Sequence, residues 1–150
     1  MKRIFSLVFC IVAFGLSARA QEQKSPAQPK APGKQIVTAA QVNGIYRLNK
    51  NEFRILAVGH NKLQVQFDGI YPTPKSFNMG SASGYAIIDG NIATFKPDET
   101  EPCEITIVFL PGKIKVIQDG RDVDCGFGHN VNAAGTYRKI RGGRPKFQSP

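Results

Sequence analysis

Hydrophobic and polar residues alternate with a period of two along much of the chain. Leu63, Val65 and Phe67 alternate with glutamines, and Ile114 and Val116 alternate with lysines. This period places one face of a β-strand in a core and the other in water, and no window shows a convincing helical period. The pattern predicts strands near residues 44–49, 52–58, 62–68, 75–79, 83–88, 91–96, 103–110, 113–118 and 134–140.

Turn-forming residues separate these predicted strands. Asp89-Gly90 and Asp119-Gly120 supply the positive φ of a tight hairpin, and Pro111-Gly112 is typical of a type II turn. About eight to nine short antiparallel strands in roughly 100 residues predict an all-β fold, either a small up-and-down barrel or a sandwich. We favour the barrel, because closure removes the exposed strand edges that an open sheet would leave.

Two aromatic residues have candidate structural roles. Tyr46 lies two places after Gly44, where it either plugs one end of a barrel or is an ordinary residue of the first strand. Phe127 lies between two glycines soon after Cys125. We expect its ring to pack against a disulfide, with contact to a ligand as the alternative.

Residues 1–20 have the three parts of an export signal. Lys2 and Arg3 precede an apolar run that is too short to cross a membrane, and small residues precede the expected cleavage after Ala20. No later stretch is apolar enough to span a bilayer. We therefore expect a signal peptide, and a secreted or periplasmic protein that is not membrane-spanning.

Proline- and lysine-containing segments flank the predicted strands. Residues 21–35 lack the aromatic and branched aliphatic side chains that folding needs, which predicts a disordered linker. Residues 141–150 have the same character and predict a disordered basic tail. One β domain, residues 36–140, remains between them.

Without the export signal the chain keeps two cysteines, Cys103 and Cys125, which flank a predicted hairpin. In an oxidising compartment this pair predicts a structural disulfide. A redox pair is normally closely spaced and a zinc site needs about four ligands, whereas His60 and His129 are far apart in the sequence. We expect no metal and no cofactor.

The net charge of +9 comes mainly from the ends of the chain. Basic residues are frequent in the signal, in the linker and after Tyr137, whereas acidic and basic residues nearly balance between 36 and 137. Nucleic-acid binding normally needs a basic folded face with interleaved aromatic residues, so we expect no nucleic-acid partner. Basic tails in an exported protein favour contact with an anionic envelope component.

A disulfide between Cys103 and Cys125 would gather most of the domain's carboxylates at one end. Such an acidic rim would steer a basic partner, whereas solvated acids scattered over loops are the alternative. The spacing of these acids lacks the regular ligands of a calcium-binding EF-hand. The predicted rim consists of Asp98, Glu99, Glu101, Glu104, Asp119, Asp122 and Asp124.

No residue pattern indicates catalysis. Ser81 and Ser83 lack the strand-to-helix elbow of a serine hydrolase, and neighbouring carboxylate pairs are common in small domains. We therefore expect a non-enzymatic binding or interaction protein. A lipocalin-like carrier of a small apolar ligand is an alternative, which would need an open barrel interior and not a solid core of phenylalanine side chains.

Three short motifs stand out in the middle of the chain: Ala82-Ser83-Gly84-Tyr85, Gly90-Asn91 and Thr94-Phe95-Lys96. In an exported, disulfide-bonded domain they resemble the periplasmic inhibitors of c-type lysozyme. The resemblance implies an eight-stranded barrel that presents a serine- and glycine-containing loop and a following lysine to the active-site cleft of lysozyme. It implies that Ser83, Gly84 and Lys96 are the inhibitory contacts, with Tyr85 nearby. Lysozymes are usually strongly basic, so a lysozyme would be a basic protein partner for the acidic rim.

Overall fold

The computed structural model describes residues 36–97 and 102–148. They form eight antiparallel strands, one short helix and a short 3-10 turn. The elements are α1 Ala39–Val42, β1 Gly44–Leu48, β2 Asn51–Gly59, β3 Lys62–Pro72, β4 Phe77–Asp89, β5 Ile92–Phe95, β6 Glu104–Leu110, β7 Lys113–Asp119, the 3-10 turn Val123–Cys125 and β8 Gly135–Gly142. The predicted signal at 1–20 and the predicted linker at 21–35 lie outside the described residues.

Each strand pairs with the next one along the chain, and β8 pairs with β1. The sheet is therefore a closed up-and-down barrel, which confirms the predicted all-β fold and selects the barrel over the sandwich. One end of the barrel, the helix end, carries α1 and the turns after β2, β4 and β6. The opposite end, the disulfide end, carries the connection from β7 to β8.

Strand β4 corrects one feature of the predicted topology. The sequence predicts two strands here, at 75–79 and 83–88, separated by Gly80, Ser81 and Ala82. In the structure β4 is continuous and pairs with β3 from Phe77 to Ile87, so the barrel has eight strands and not nine. A Cβ on Gly80 would come within 2.8 Å of the Cβ of Phe127, so the glycine makes room for an aromatic residue inside the barrel.

Aromatic rings fill the interior of the barrel. Phe53, Phe67, Phe95 and Phe109 are each at most 2% exposed. The ring of Phe53 lies 4.8 Å from that of Phe67 and 4.9 Å from that of Tyr137, measured between centroids. Branched aliphatic side chains from β2, β3, β6 and β7 complete this cluster. The interior is therefore a packed core, as in other small barrels whose side chains occupy the lumen.

Two tyrosines close the barrel by the same local motif. Each lies two residues after a glycine with a positive φ, a conformation that other residues rarely adopt. The hydroxyl of Tyr46 donates to the carbonyl of Val42 at 2.8 Å, and the hydroxyl of Tyr137 donates to the carbonyl of Ala133 at 2.8 Å. In both motifs the acceptor lies four residues before the tyrosine. Tyr46 thus closes the helix end, which is the first of the two roles expected for it.

The predicted disulfide between Cys103 and Cys125 is present and ties the residue before β6 to the 3-10 turn. The connection that follows folds over this end of the barrel, and Phe127 within it is buried. The ring of Phe127 lies 5.1 Å from that of Phe67, and the amide of Gly128 donates to the carbonyl of Met79 at 2.9 Å. Phe127 is therefore a core residue that packs on Phe67 and closes the disulfide end, whereas its packing against the disulfide itself stays a prediction.

The C-terminal segment differs from the predicted disordered tail. Strand β8 continues two residues into that segment, and residues 143–148 then cross the outside of the sheet. The amide of Gln148 donates to Oε1 of Gln66 at 2.9 Å, and Nε2 of Gln66 donates to the carbonyl of Gln148 at 3.3 Å. Pro145 is buried, and so is Leu56 on the outer side of β2. An outward apolar side chain is buried only under a cover, so we infer that the segment covers Leu56.

Candidate functional site

Three predicted partner-binding residues, Ser83, Gly84 and Tyr85, lie in the middle of strand β4. Side chains alternate across a strand and Ala86 is fully buried, so Ser83 and Tyr85 point outwards. At these positions the structure has a strand where the resemblance implied a loop. Ser83 and Tyr85 therefore lie on the outside of the barrel wall, whereas a Cβ on Gly84 would meet the buried ring of Phe95 at 3.3 Å, so Gly84 is on the inward side.

Lys96, the fourth predicted contact, follows strand β5 directly. Its side chain is half exposed, and its ammonium group lies 3.9 Å from the carboxylate of Glu104. Because Phe95 pairs with Ala86, the adjoining residues Lys96 and Tyr85 are neighbours on the two chain segments. The structure thus brings Lys96 to the same part of the outer surface as the predicted residues of β4.

The outward residues of β4 form a surface that includes two of the predicted partner contacts, Ser83 and Tyr85. We name it the β4 face; it consists of Phe77, Met79, Ser81, Ser83, Tyr85 and Ile87. Its four apolar members are each between 55% and 63% exposed. At about 3.3 Å per residue, the row from Phe77 to Ile87 is about 33 Å long. The period of two in the outward residues was the signal in the sequence, but the gap at 80–82 between the two predicted strands interrupted it.

A cleft of about 460 Å³ runs beside the β4 face, on the outside of β2, β3 and β4. Ser81 and Ser83 line one side of it, and Gln148 of the C-terminal segment also lines it. Glu52 and Asp68 lie in its floor together with polar and apolar neighbours. A molecule in this cleft would therefore meet hydroxyl groups, charged groups and the edge of the β4 face together.

Alternating charges cross the floor of the cleft on neighbouring strands. Glu52 of β2 pairs with Arg47 of β1 and with Arg54 of its own strand, and Arg54 also pairs with Asp68 of β3. The side chains of Glu52 and Arg54 are only 11% and 12% exposed, so water screens this pairing weakly. Removing one member would leave its partner as a nearly buried charge. We infer that the network holds the three strands in register.

Four of the seven residues of the predicted acidic rim lie within the described part of the chain. Glu104 and Asp119 are directly opposite each other on β6 and β7, and Asp122 and Asp124 belong to the 3-10 turn and its start. These four lie at the disulfide end of the barrel. The other three, which fall outside the described residues, are Asp98, Glu99 and Glu101.

Two acids of the predicted rim are held by local partners. Asp124 accepts hydrogen bonds from the guanidinium of Arg121 at 2.8 and 3.0 Å and one from its amide, which lower the pKa of Asp124 to about 2. Asp122 accepts from the amides of Asn130 and Val123, which lowers its pKa as well. Both carboxylates therefore stabilise the turn beside the disulfide, and Arg121 offsets part of the negative charge that the sequence places here.

Within residues 36–97 and 102–148, no three His, Cys, Asp or Glu side chains lie close enough together to hold a metal ion. In the same ranges, no helix has the length and apolar character that crossing a membrane requires. Comparison of the chain with protein-family models, with curated proteins and with solved structures finds no match.

Proposed function

We propose that the protein is an exported, non-enzymatic binding protein that recognises a protein partner through the β4 face. The exposure of Met79 and Tyr85, both 63%, is the observation that carries the proposal. Aromatic residues and methionine are enriched in the centres of protein interfaces. Contiguous exposed apolar surface on a folded domain commonly marks an interaction site.

The packed interior favours an outer binding surface over a carrier function. Phe53, Phe67 and Phe95 are fully buried within the barrel, where a lipocalin-like carrier would need a cavity for its ligand. Strand β4 is paired with β3 over nearly its whole length. A partner would therefore bind a surface that is already ordered, which lowers the entropic cost of association.

The disulfide supports a secreted or periplasmic location. Disulfides form and persist in oxidising compartments, and Cys103 and Cys125 are joined in the folded domain. The cleft carboxylates Glu52 and Asp68 are both ion-paired with Arg54, which is compatible with a structural role for them in a non-enzymatic protein.

Partner capture with a variant of the β4 face tests the proposal. The chain from Gln21 to Pro150 is immobilised, and proteins retained from the envelope fraction and culture medium of the producing cells are identified and quantified by mass spectrometry. The double variant Met79→Ser with Tyr85→Ser removes two exposed anchors. We expect it to retain a specific partner at least about tenfold less, because truncation of an interface anchor often weakens binding by that factor or more.

A matched control removes two apolar residues of similar exposure elsewhere on the barrel. Val58→Ser with Ile117→Ser changes residues of β2 and β7 that are 45% and 48% exposed. We expect this variant to retain the partner like the unmodified protein. Equal retention by the β4 variant and the control variant would refute the β4 face as the binding surface.

Inhibition of a c-type lysozyme is the second candidate function. The observations that favour it are the eight-stranded barrel implied by the resemblance and the common location of Ser83, Tyr85 and Lys96 on the outer surface. If the protein inhibits lysozyme, we expect micromolar protein to slow the lysis of cell-wall substrate by the enzyme, and rising salt to weaken the inhibition. Lys96→Ala would reduce the inhibition. Absence of inhibition across several lysozyme types would eliminate this candidate.

A further inference from the structure

The fold gathers basic residues on the side of the barrel opposite the β4 face. Strand β8 is four strands away from β4 in the closed eight-stranded order, with β7 and β1 on either side of it. Tyr137, Ile114 and Tyr46 point into the core, so the basic residues next to them point outwards. We name this surface the basic face; it consists of Arg47 of β1, Lys113 and Lys115 of β7, and Arg138 of β8.

Three of these cations lie in one row across the sheet. Arg138 is directly opposite Lys113 on one side and Arg47 on the other. Like charges directly opposite each other destabilise an antiparallel sheet. Arg47 is paired with Glu52, but within the described part of the chain Lys113, Lys115 and Arg138 make no ion pair. Lys113 and Arg138 thus form a pair of opposed cations without an acidic partner in the described residues, and an external anion would relieve their repulsion.

Arg141, at the start of the C-terminal segment, adds positive charge near the basic face. Arg141 is the β8 partner of Ile45 in β1, and both Arg144 and Lys146 are exposed. From the sequence, the charges from Arg138 onwards are predicted to belong to the end of the chain. The structure instead places Arg138 and Arg141 within β8, so they belong to the folded surface.

Exposed aliphatic residues lie among these cations. Within the described part of the chain, no exposed aromatic ring lies among them. Ile117 of β7 and Ile140 of β8 are 48% and 50% exposed. The aromatic residues of β1 and β8, Tyr46 and Tyr137, point into the core. The surface therefore lacks the stacking platform that single-stranded nucleic acid needs. Cations with interspersed aliphatic side chains instead match the phosphates and the hydrocarbon boundary of a lipid surface.

We propose that the basic face docks on the phosphate headgroups of an anionic phospholipid bilayer. Lys113, Arg138 and Arg47 contact the phosphates, and Ile117 and Ile140 lie at the boundary between headgroups and acyl chains. The contact is peripheral and electrostatic, so it weakens as salt rises. It leaves the β4 face on the far side of the barrel, directed away from the bilayer.

Vesicle co-sedimentation tests the proposal with the chain from Gln21 to Pro150. The vesicles consist of phosphatidylcholine, with or without phosphatidylglycerol. We expect binding only to the vesicles with phosphatidylglycerol, and loss of that binding at high salt. The double variant Lys113→Gln with Arg138→Gln should bind about 25-fold more weakly, because each basic residue near an anionic membrane contributes about fivefold. Thermal unfolding checks that the variant is folded; relief of the like-charge row should leave its melting temperature unchanged or higher.

The control variant, Lys62→Gln with Lys75→Gln, removes the same net charge from β3 and from the turn after it. We expect it to lose less than about threefold in affinity, because both lysines lie away from the basic face. Equal losses in the two variants would overturn the proposal, since binding would then follow net charge alone. Equal binding to the neutral vesicles would also overturn it. Displacement from vesicles by a double-stranded oligonucleotide that binds more tightly would assign the face to nucleic acid instead.

Discussion

Tyr46 and Tyr137 each combine a ring in the core with a hydroxyl that reaches the backbone at the edge of the barrel. Tyr46 donates to the carbonyls of both Gln41 and Val42, so it holds the last turn of α1 to β1. The ammonium of Lys139 lies 5.3 Å from the centre of the same ring and donates to the carbonyl of Gln41 at 2.7 Å. This cluster joins the helix, β1 and β8 at one point.

The first prediction at this scale concerns the hydroxyl of Tyr137. Tyr137→Phe removes the donor to the carbonyl of Ala133 and leaves that buried acceptor unpaired. We expect a loss of about 1–2 kcal/mol in the free energy of unfolding, measured by urea titration. Tyr85→Phe, which changes an exposed tyrosine, is the control and should stay within about 0.5 kcal/mol. A loss no larger in Tyr137→Phe than in the control would contradict the role of the hydrogen bond.

The second prediction concerns alkaline pH. Burial raises the pKa of Tyr46 and Tyr137 well above the value of 10.0 that applies to an unfolded chain. Their contribution to stability is therefore complete below pH 10 and is lost as the pH rises, because the unfolded chain releases protons that the folded chain retains. Each tyrosine should lower the free energy of unfolding by about 1.4 kcal/mol per pH unit above 10. Urea titrations at increasing pH measure this slope, and Tyr137→Phe should reduce it by about half.

The connection from β7 to β8 closes one end of the barrel although it contains no strand, so individual contacts must hold it in place. The disulfide holds its 3-10 turn, Asp122 caps that turn by accepting from the amide of Val123, and Phe127 enters the core. The amide of Ala133 donates to the side chain of Gln118, which returns the chain to the sheet. Each contact fixes a separate part of the connection.

The disulfide should therefore account for a large part of the stability of this element. Cys103→Ala with Cys125→Ala opens a loop with a sequence separation of 22. We expect a loss of about 3 kcal/mol, because a disulfide restricts the unfolded chain by roughly that amount for such a loop. Urea unfolding of the variant, and of the unmodified protein with and without reductant, measures the effect. Unfolding midpoints that coincide with and without the bond would contradict it.

An element could be predicted where its own residues carry the pattern that defines it, and not where contacts with distant residues define it. Strands β6 and β7 alternate apolar and polar residues and end at glycine-containing turns, so their positions follow from the sequence. The continuity of strand β4 does not follow from the local sequence. Gly80 lies within this strand because a larger side chain would clash with Phe127, a residue far away in the sequence. The C-terminal segment is fixed by hydrogen bonds between Gln66 and Gln148, a pair without any local signal.

At the scale of the whole molecule, the barrel has two outer faces of different chemistry. The β4 face is apolar and aromatic, and the basic face lies four strands away in the closed sheet. The packed barrel therefore lies between a surface that we assign to a protein and one that we assign to lipid. If both assignments hold, the molecule presents its protein partner at a fixed distance from a membrane surface.

Only part of this candidate site could be predicted from the sequence. The sequence identifies Ser83 and Tyr85 through a motif, and a motif does not depend on the register of the strands. The row of Lys113, Arg138 and Arg47 exists only because β7, β8 and β1 pair in one particular register. The composition shows these three residues only as part of the net charge and does not predict that they lie next to one another.

The pairing of β1 with β8 also limits when the barrel can close. Gly44 pairs with Gly142, so the barrel cannot close until nearly the whole described chain is available for pairing. Arg47 and Arg138 face each other across this seam, which makes the final joining step electrostatically unfavourable. A nearby layer of phosphates would lower that barrier, and an anionic surface would then act on the molecule as an assembly aid before it serves as a binding site.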